Sequence, residues 1–67
     1  MRWFARDRWH WEREDGKWSI LPCAPEKFLL CCLTDRRPIV SGLESQEACV
    51  AEAKRQDEQD AAKAGAT

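Results

Sequence analysis

The chain has 67 residues, with 11 Lys and Arg against 12 Asp and Glu, and a formal net charge of −1. A single domain of this size buries only about 60% of the surface its unfolded chain exposes, which leaves no room for a catalytic cleft backed by a large core. The balance of charge argues against a general nucleic-acid binder, whose electrostatic footprint is basic.

The charges are unevenly placed. Arg2, Arg6, Arg8, Arg13 and Lys17 stand near the start, whereas Glu44, Glu47, Glu52, Asp57, Glu58 and Asp60 dominate the final third. Met1-Arg2 is followed at once by aromatic and charged residues, with no apolar stretch of the kind a signal peptide carries. No uncharged run approaches the roughly 20 residues that span a bilayer. These features are read as a cytoplasmic protein with reduced thiols and no membrane partner.

Arg2 to Arg8 alternate only in part and are read as strand, either the bent start of one long first strand or a separate edge strand. Trp9 to Ile20 form the segment around which the fold is organised. Asp15-Gly16 has the composition of a two-residue type I′ turn, in which both central residues take positive φ. That turn pairs Trp11 with Ile20 and Glu12 with Ser19. Alternation then places Trp9, Trp11, Trp18, Ile20 and the stem of Arg13 on one face, with His10, Glu12 and Ser19 on the other.

Pro22 is expected to close the second strand, because it cannot donate to a ladder. Phe28 to Leu33 are apolar at every position and read as a central strand. Pro38 to Ser41 read as a short fourth strand. Ser41 and Ser45 are both candidate helix N-caps. The helix is expected from about Glu44 to about Asp57, with Cys49, Val50 and Ala53 inward and Glu44, Glu47 and Glu58 outward. Beyond Ala53 the inner face becomes Asp57 and Asp60, so packing is expected to stop there. Residues 61–67 are expected to be a disordered tail after a single domain over 1–60. The fold class is α+β: a three- or four-stranded antiparallel meander with one C-terminal helix on one face.

The four cysteines, Cys23, Cys31, Cys32 and Cys49, lack paired C-x2-C spacing, so free thiols and no metal or cofactor are expected. His10 and Glu12 have no accompanying nucleophile motif, and no catalytic residue is assigned. The tryptophan and arginine set remains: Trp3, Arg6, Arg8, Trp9, Trp11, Arg13 and Trp18. Trp and Arg are enriched at the energetic centres of protein interfaces. The apolar third strand, with only one helix to cover it, calls for a second copy or a partner on the other face, or else for Arg2 to Arg8 to fold back over that face with Trp3 or Phe4 as the plug.

The expected function is therefore a non-enzymatic binding protein that inhibits or modulates a larger bacterial protein complex. It would use the aromatic and Arg surface together with an acidic surface of Glu44, Glu47 and Glu58. In size and composition the chain is similar to phage-encoded anti-defence inhibitors such as anti-CRISPRs. The alternative is a DNA-binding module, because a sheet followed by one helix is similar to the layout of arm-type and AP2-like domains.

Overall fold

The structure, a computed structural model, describes residues 2–65. Five strands and one helix follow in chain order: β1 Trp3–Ala5, β2 Trp11–Arg13, β3 Trp18–Ala24, β4 Lys27–Cys32, β5 Val40–Leu43 and α1 Gln46–Gly65. The strands form one antiparallel sheet in the order β1-β2-β3-β4-β5, with every strand beside its sequence neighbour. The α+β meander with a C-terminal helix is the expected class. It has five strands because Trp3–Ala5 stands as its own edge strand, with Phe4 opposite Glu12.

The chain breaks between β1 and β2 because Asp7 folds it. Its Oδ1 accepts from the amides of both Trp9 and His10 at 2.9 Å, while the amide of Arg6 donates to the His10 carbonyl at 2.8 Å. Trp9 and His10 are thus loop residues, which corrects their expected place on the first hairpin strand.

Between β2 and β3 the expected register is present, with Trp11 opposite Ile20 and Glu12 opposite Ser19. The turn that sets it is not type I′. Only Gly16 takes positive φ, at 74°, and its amide donates to the Arg13 carbonyl at 2.9 Å. Four residues, Glu14 to Lys17, make the connection, and the Asp15 carboxylate holds the Lys17 amide at 3.0 Å. The amide of Glu14 donates to the carbonyl of Arg2, the residue just before β1, at 2.9 Å.

Pro22 does not end β3, which runs on to Ala24. The reason is the shortness of β2: past Ile20 the β2 side of β3 carries no ladder, so a residue without an N–H is tolerated there. Pro22 still lies opposite Phe28 of β4, and a bulge follows before Ala24 pairs with Lys27. The fourth strand expected at 38–41 lies at 40–43. A bulge around Gly42, at φ 76°, lets three steps of β5 match two of β4.

The core is Trp18, Ile20, Phe28, Leu30, Cys49 and Ala53, four of them from the central β3–β4 hairpin. Trp3, Trp11, Cys32, Val40, Leu43 and Val50 pack around it. Fully burying each large apolar side chain stabilises by about 1.5–3 kcal/mol. The helix starts where Ser45, not Ser41, caps it: Ser45 Oγ accepts the Ala48 amide at 3.0 Å, and the Ser45 carbonyl accepts the Cys49 amide.

The helix does not stop near Asp57. It continues to Gly65, with Lys63 in the last turn, where a cation suits the dipole. Of the tail expected to be disordered, residues 61–65 belong to the helix and residues 66 and 67 lie outside the described residues. The expectation that packing ends at Ala53 is also corrected. Asp57 and Asp60 continue the inner stripe at helical spacing, and the sheet meets them with cations. Arg13 donates to Asp57 through Nη1 and holds Asp15 through Nε and Nη2 at 3.0 and 2.7 Å. Lys17 Nζ lies 3.3 Å from Asp57 and 3.2 Å from Asp60. Arg37 reaches Asp60 at 3.0 Å and pairs with Asp35.

The indole of Trp18 sits inside this clasp. Its Nε1 donates to Asp57 Oδ1 at 3.2 Å, and Lys17 and Arg37 stand over the ring at 5.5 and 5.2 Å from its centre. A buried tryptophan needs a partner for its N–H, and Asp57 supplies one. Burial pushes the Asp57 carboxyl up, but hydrogen bonds from Arg13, Trp18 and Lys17 outweigh it and hold the group below the usual carboxylate range. The Arg13 hydrogen bonds pull Asp15 down to about 2.

Candidate functional site

The sequence-predicted contact residues divide sharply in space. Trp18 and Arg13 are 1% and 8% exposed and are occupied by the core and the clasp, so neither belongs on a contact surface. This corrects their assignment. Trp3 and Trp11 are half-buried on the helix side of the sheet, where alternation from Trp18 and Ile20 places them. Arg6, Arg8 and Trp9 lie together in the β1–β2 loop at one end of the sheet. Turn Pro25-Glu26 and the loop before α1 lie at the same end.

Trp9 is 48% exposed, an unusual state for the largest apolar side chain. It is nevertheless held in place. Asp7 fixes its amide, Gln46 Nε2 reaches its carbonyl at 3.5 Å, and its ring lies 6.3 Å from that of Phe28 at a tilt of 35°. The guanidinium of Arg8 covers the ring at 4.9 Å. The two accepted hydrogen bonds, from Trp9 and then His10, also lower the Asp7 carboxyl below its ordinary value, so the acceptor that builds the loop stays ionised. Arg6 pairs with Glu12 at 3.0 Å.

Beside Trp9 the fold opens a groove of about 490 Å3, walled by Trp9, Pro22, Pro25 and Phe28, with Glu26 and Glu44 among its polar lining. Pro22, Pro25, Glu26 and Phe28 were not legible as site residues. The two prolines read as a strand end and a turn, and only the extension of β3 brings them to Trp9.

The acidic residues do not form one patch. Glu44 precedes the helix and faces the groove, whereas Glu47 and Glu58 are exposed on α1. That pair is eleven positions apart, about 16 Å along the axis. Lys54 and the ion-paired Arg55 and Glu52 lie between them.

His10 Nε2 meets Ser19 Oγ at 2.9 Å and Glu12 Oε1 at 3.4 Å. Both partners converge on one ring nitrogen, and Ser19 is 3% exposed. A nucleophile relay instead needs the carboxylate on the opposite nitrogen and an accessible hydroxyl. The arrangement ties the polar side of β2 to β3. Around it the face opposite the helix is apolar, with Leu21, Leu29 and Cys31 half-buried and Phe4 and Leu33 exposed. The four thiols are free.

No family model, curated protein or solved structure matches the chain. Among the described residues no helix is long and apolar enough to cross a membrane.

Proposed function

We propose that this chain is a non-enzymatic binding protein that modulates or inhibits a larger bacterial protein complex in the cytoplasm, with the Trp9 end of the sheet as its contact surface. The observation that carries the reading is Trp9 itself: a half-exposed indole, fixed by the Asp7 loop, stacked by Arg8 and bordering an apolar groove. A rigid aromatic anchor with an Arg neighbour is the composition of an interface hot spot, where a few residues supply most of the affinity. Pre-organisation lowers the ordering cost of association.

The DNA-binding reading ranks second because of where the cations lie. The open sheet face, which would enter a groove of DNA, is apolar, and Arg6 on that side is neutralised by Glu12. Arg13 and Arg37 are committed to internal carboxylates. Phosphate recognition depends on free cations.

Affinity capture from a bacterial lysate with the wild type and Trp9→Ala, at low and high salt, tests the proposal. A hot-spot loss of at least about 2 kcal/mol corresponds to roughly thirtyfold weaker capture. Because Trp9 is outside the core, the variant should keep its circular dichroism spectrum. Capture that ignores Trp9→Ala, or a nucleic acid that leaves steeply with salt, would overturn it.

A further inference from the structure

We infer that the Trp9 groove takes an extended, proline-containing peptide segment carrying one basic side chain. This rests on the reading of Trp9 as a contact residue and adds the chemistry of its partner. The volume, about 490 Å3, falls within the roughly 300–1,000 Å3 of small-ligand sites and fits a few residues of chain.

The hydrogen-bonding inventory selects the backbone of the occupant. On the β2 side, β3 has no ladder beyond Ile20, but Pro22 removes a donor from that flank. An added β-strand would meet an interrupted edge. A polyproline segment brings carbonyl acceptors and few donors. The indole Nε1 of Trp9, which donates to no group among the described residues, supplies the complementary donor. The ring and the rings of Pro22 and Pro25 supply flat apolar contact for proline.

The charges select the side chain. Among the described residues neither Glu26 nor Glu44 has an ion-pair partner, in contrast to Glu12, Asp15, Asp35, Glu52, Asp57 and Asp60. Lys27 lines the groove too, joined to neither glutamate, whereas the Arg8 guanidinium lies over the indole and outside the lining. Among the lining residues, two carboxylates against one ammonium leave a net negative charge. Glu26 further holds a left-handed backbone, φ 61°, at the second residue of the Pro25-Glu26 loop, where glycine is the unstrained choice. A carboxylate therefore stands where the backbone favours having no side chain.

The probes are three synthetic peptides, Ac-Pro-Pro-Arg-Pro-Pro-amide, Ac-Pro-Pro-Glu-Pro-Pro-amide and Ac-Gly-Gly-Arg-Gly-Gly-amide. They are titrated into the full-length 15N-labelled protein, following the Trp9 indole resonance. The Arg–Pro peptide should bind about tenfold tighter than either of the others, and Glu26→Gln with Glu44→Gln should remove most of the advantage of Arg over Glu. Equal binding of all three, or an indole that does not move, overturns the inference. Unchanged dispersion of the remaining amides certifies the folded variant. If Trp9→Ala still abolishes capture of a larger protein while the peptides fail, the peptide chemistry is wrong and the contact surface stands. If Trp9→Ala also leaves capture intact, both readings fall.

Discussion

Replacing Asp57 by alanine removes three acceptor contacts at once, those to Arg13, Trp18 Nε1 and Lys17. Stripping one partner from a buried ion pair costs about 3–5 kcal/mol. Here the figure is lower for two reasons. The Asp57 side chain is 32% exposed, so water reaches the vacancy, and Arg13 keeps both of its bonds to Asp15. What remains uncompensated is the Trp18 N–H, which costs about 1–3 kcal/mol when unpaired, and part of the Arg13 charge. The expected loss is therefore about 2–3 kcal/mol, or roughly 10–20 °C in melting temperature for a domain of this size.

Thermal and urea unfolding, followed by far-ultraviolet circular dichroism and tryptophan fluorescence, measure the Asp57 effect. Asp57→Asn retains a neutral acceptor and should lose less. The pH dependence carries an independent signature. Asp57, Asp60 and Asp15 have folded-state pKa values below their ordinary ones, with Asp15 at about 2. Their stabilisation is complete above the unfolded carboxylate value, about 4, and is lost as the pH falls through the folded values. Asp57→Ala should accordingly flatten the acid limb of the stability curve. A variant within about 0.5 kcal/mol of wild type, or one with an unchanged acid limb, would refute the clasp as a source of stability.

Truncation after Asp60 should cost less than about 0.5 kcal/mol, because residues 61–63 are exposed, while truncation after Gln56 removes the clasp and should resemble Asp57→Ala in a melting experiment. Glu26→Gly relieves the left-handed strain and should stabilise by about 0.5–1 kcal/mol, net of the extra freedom glycine gives the unfolded chain; a fall in melting temperature would show that the side chain is held by folded-state contacts. Burial, with a smaller contribution from Cys23, pushes the Cys49 thiol up to about 11, so a thiol reagent at pH 8 should modify exposed Cys23 first and Cys49 only on unfolding, as peptide mapping would reveal.

Sequence reasoning reached the sheet because its cues are local. The Asp15-Gly16 pair, the alternation of Trp11, Trp18 and Ile20, and the apolar run through Phe28 each act over a few residues. It reached the register even though the turn type was different, because a four-residue connection returns the chain to the same pairing. It failed at Pro22, where tolerance of proline depends on how far the neighbouring strand extends. It failed again at Asp57 and Asp60, since two acids on an inner face read as the end of packing unless Arg13, Lys17 and Arg37 are known to await them. Among the site residues Trp9 was found by composition, but its groove was hidden because Pro22, Pro25 and Glu44 become neighbours only through the bulged end of β3 and the start of α1. Trp18 and Arg13 were misplaced for a related reason: a tryptophan near an arginine has the same sequence signature in a core as at an interface.

The meander order has a kinetic consequence. Every strand pairs with its immediate successor, so each sheet contact closes a short loop, and low contact order favours rapid folding. The contacts that must wait are those of α1, above all Arg13 with Asp57, 44 residues apart. Mutations in the β3–β4 hairpin should then slow folding, whereas loss of the Asp57 contacts should leave the folding rate nearly unchanged and accelerate unfolding. The protein would assemble its sheet first and lock it with charge last.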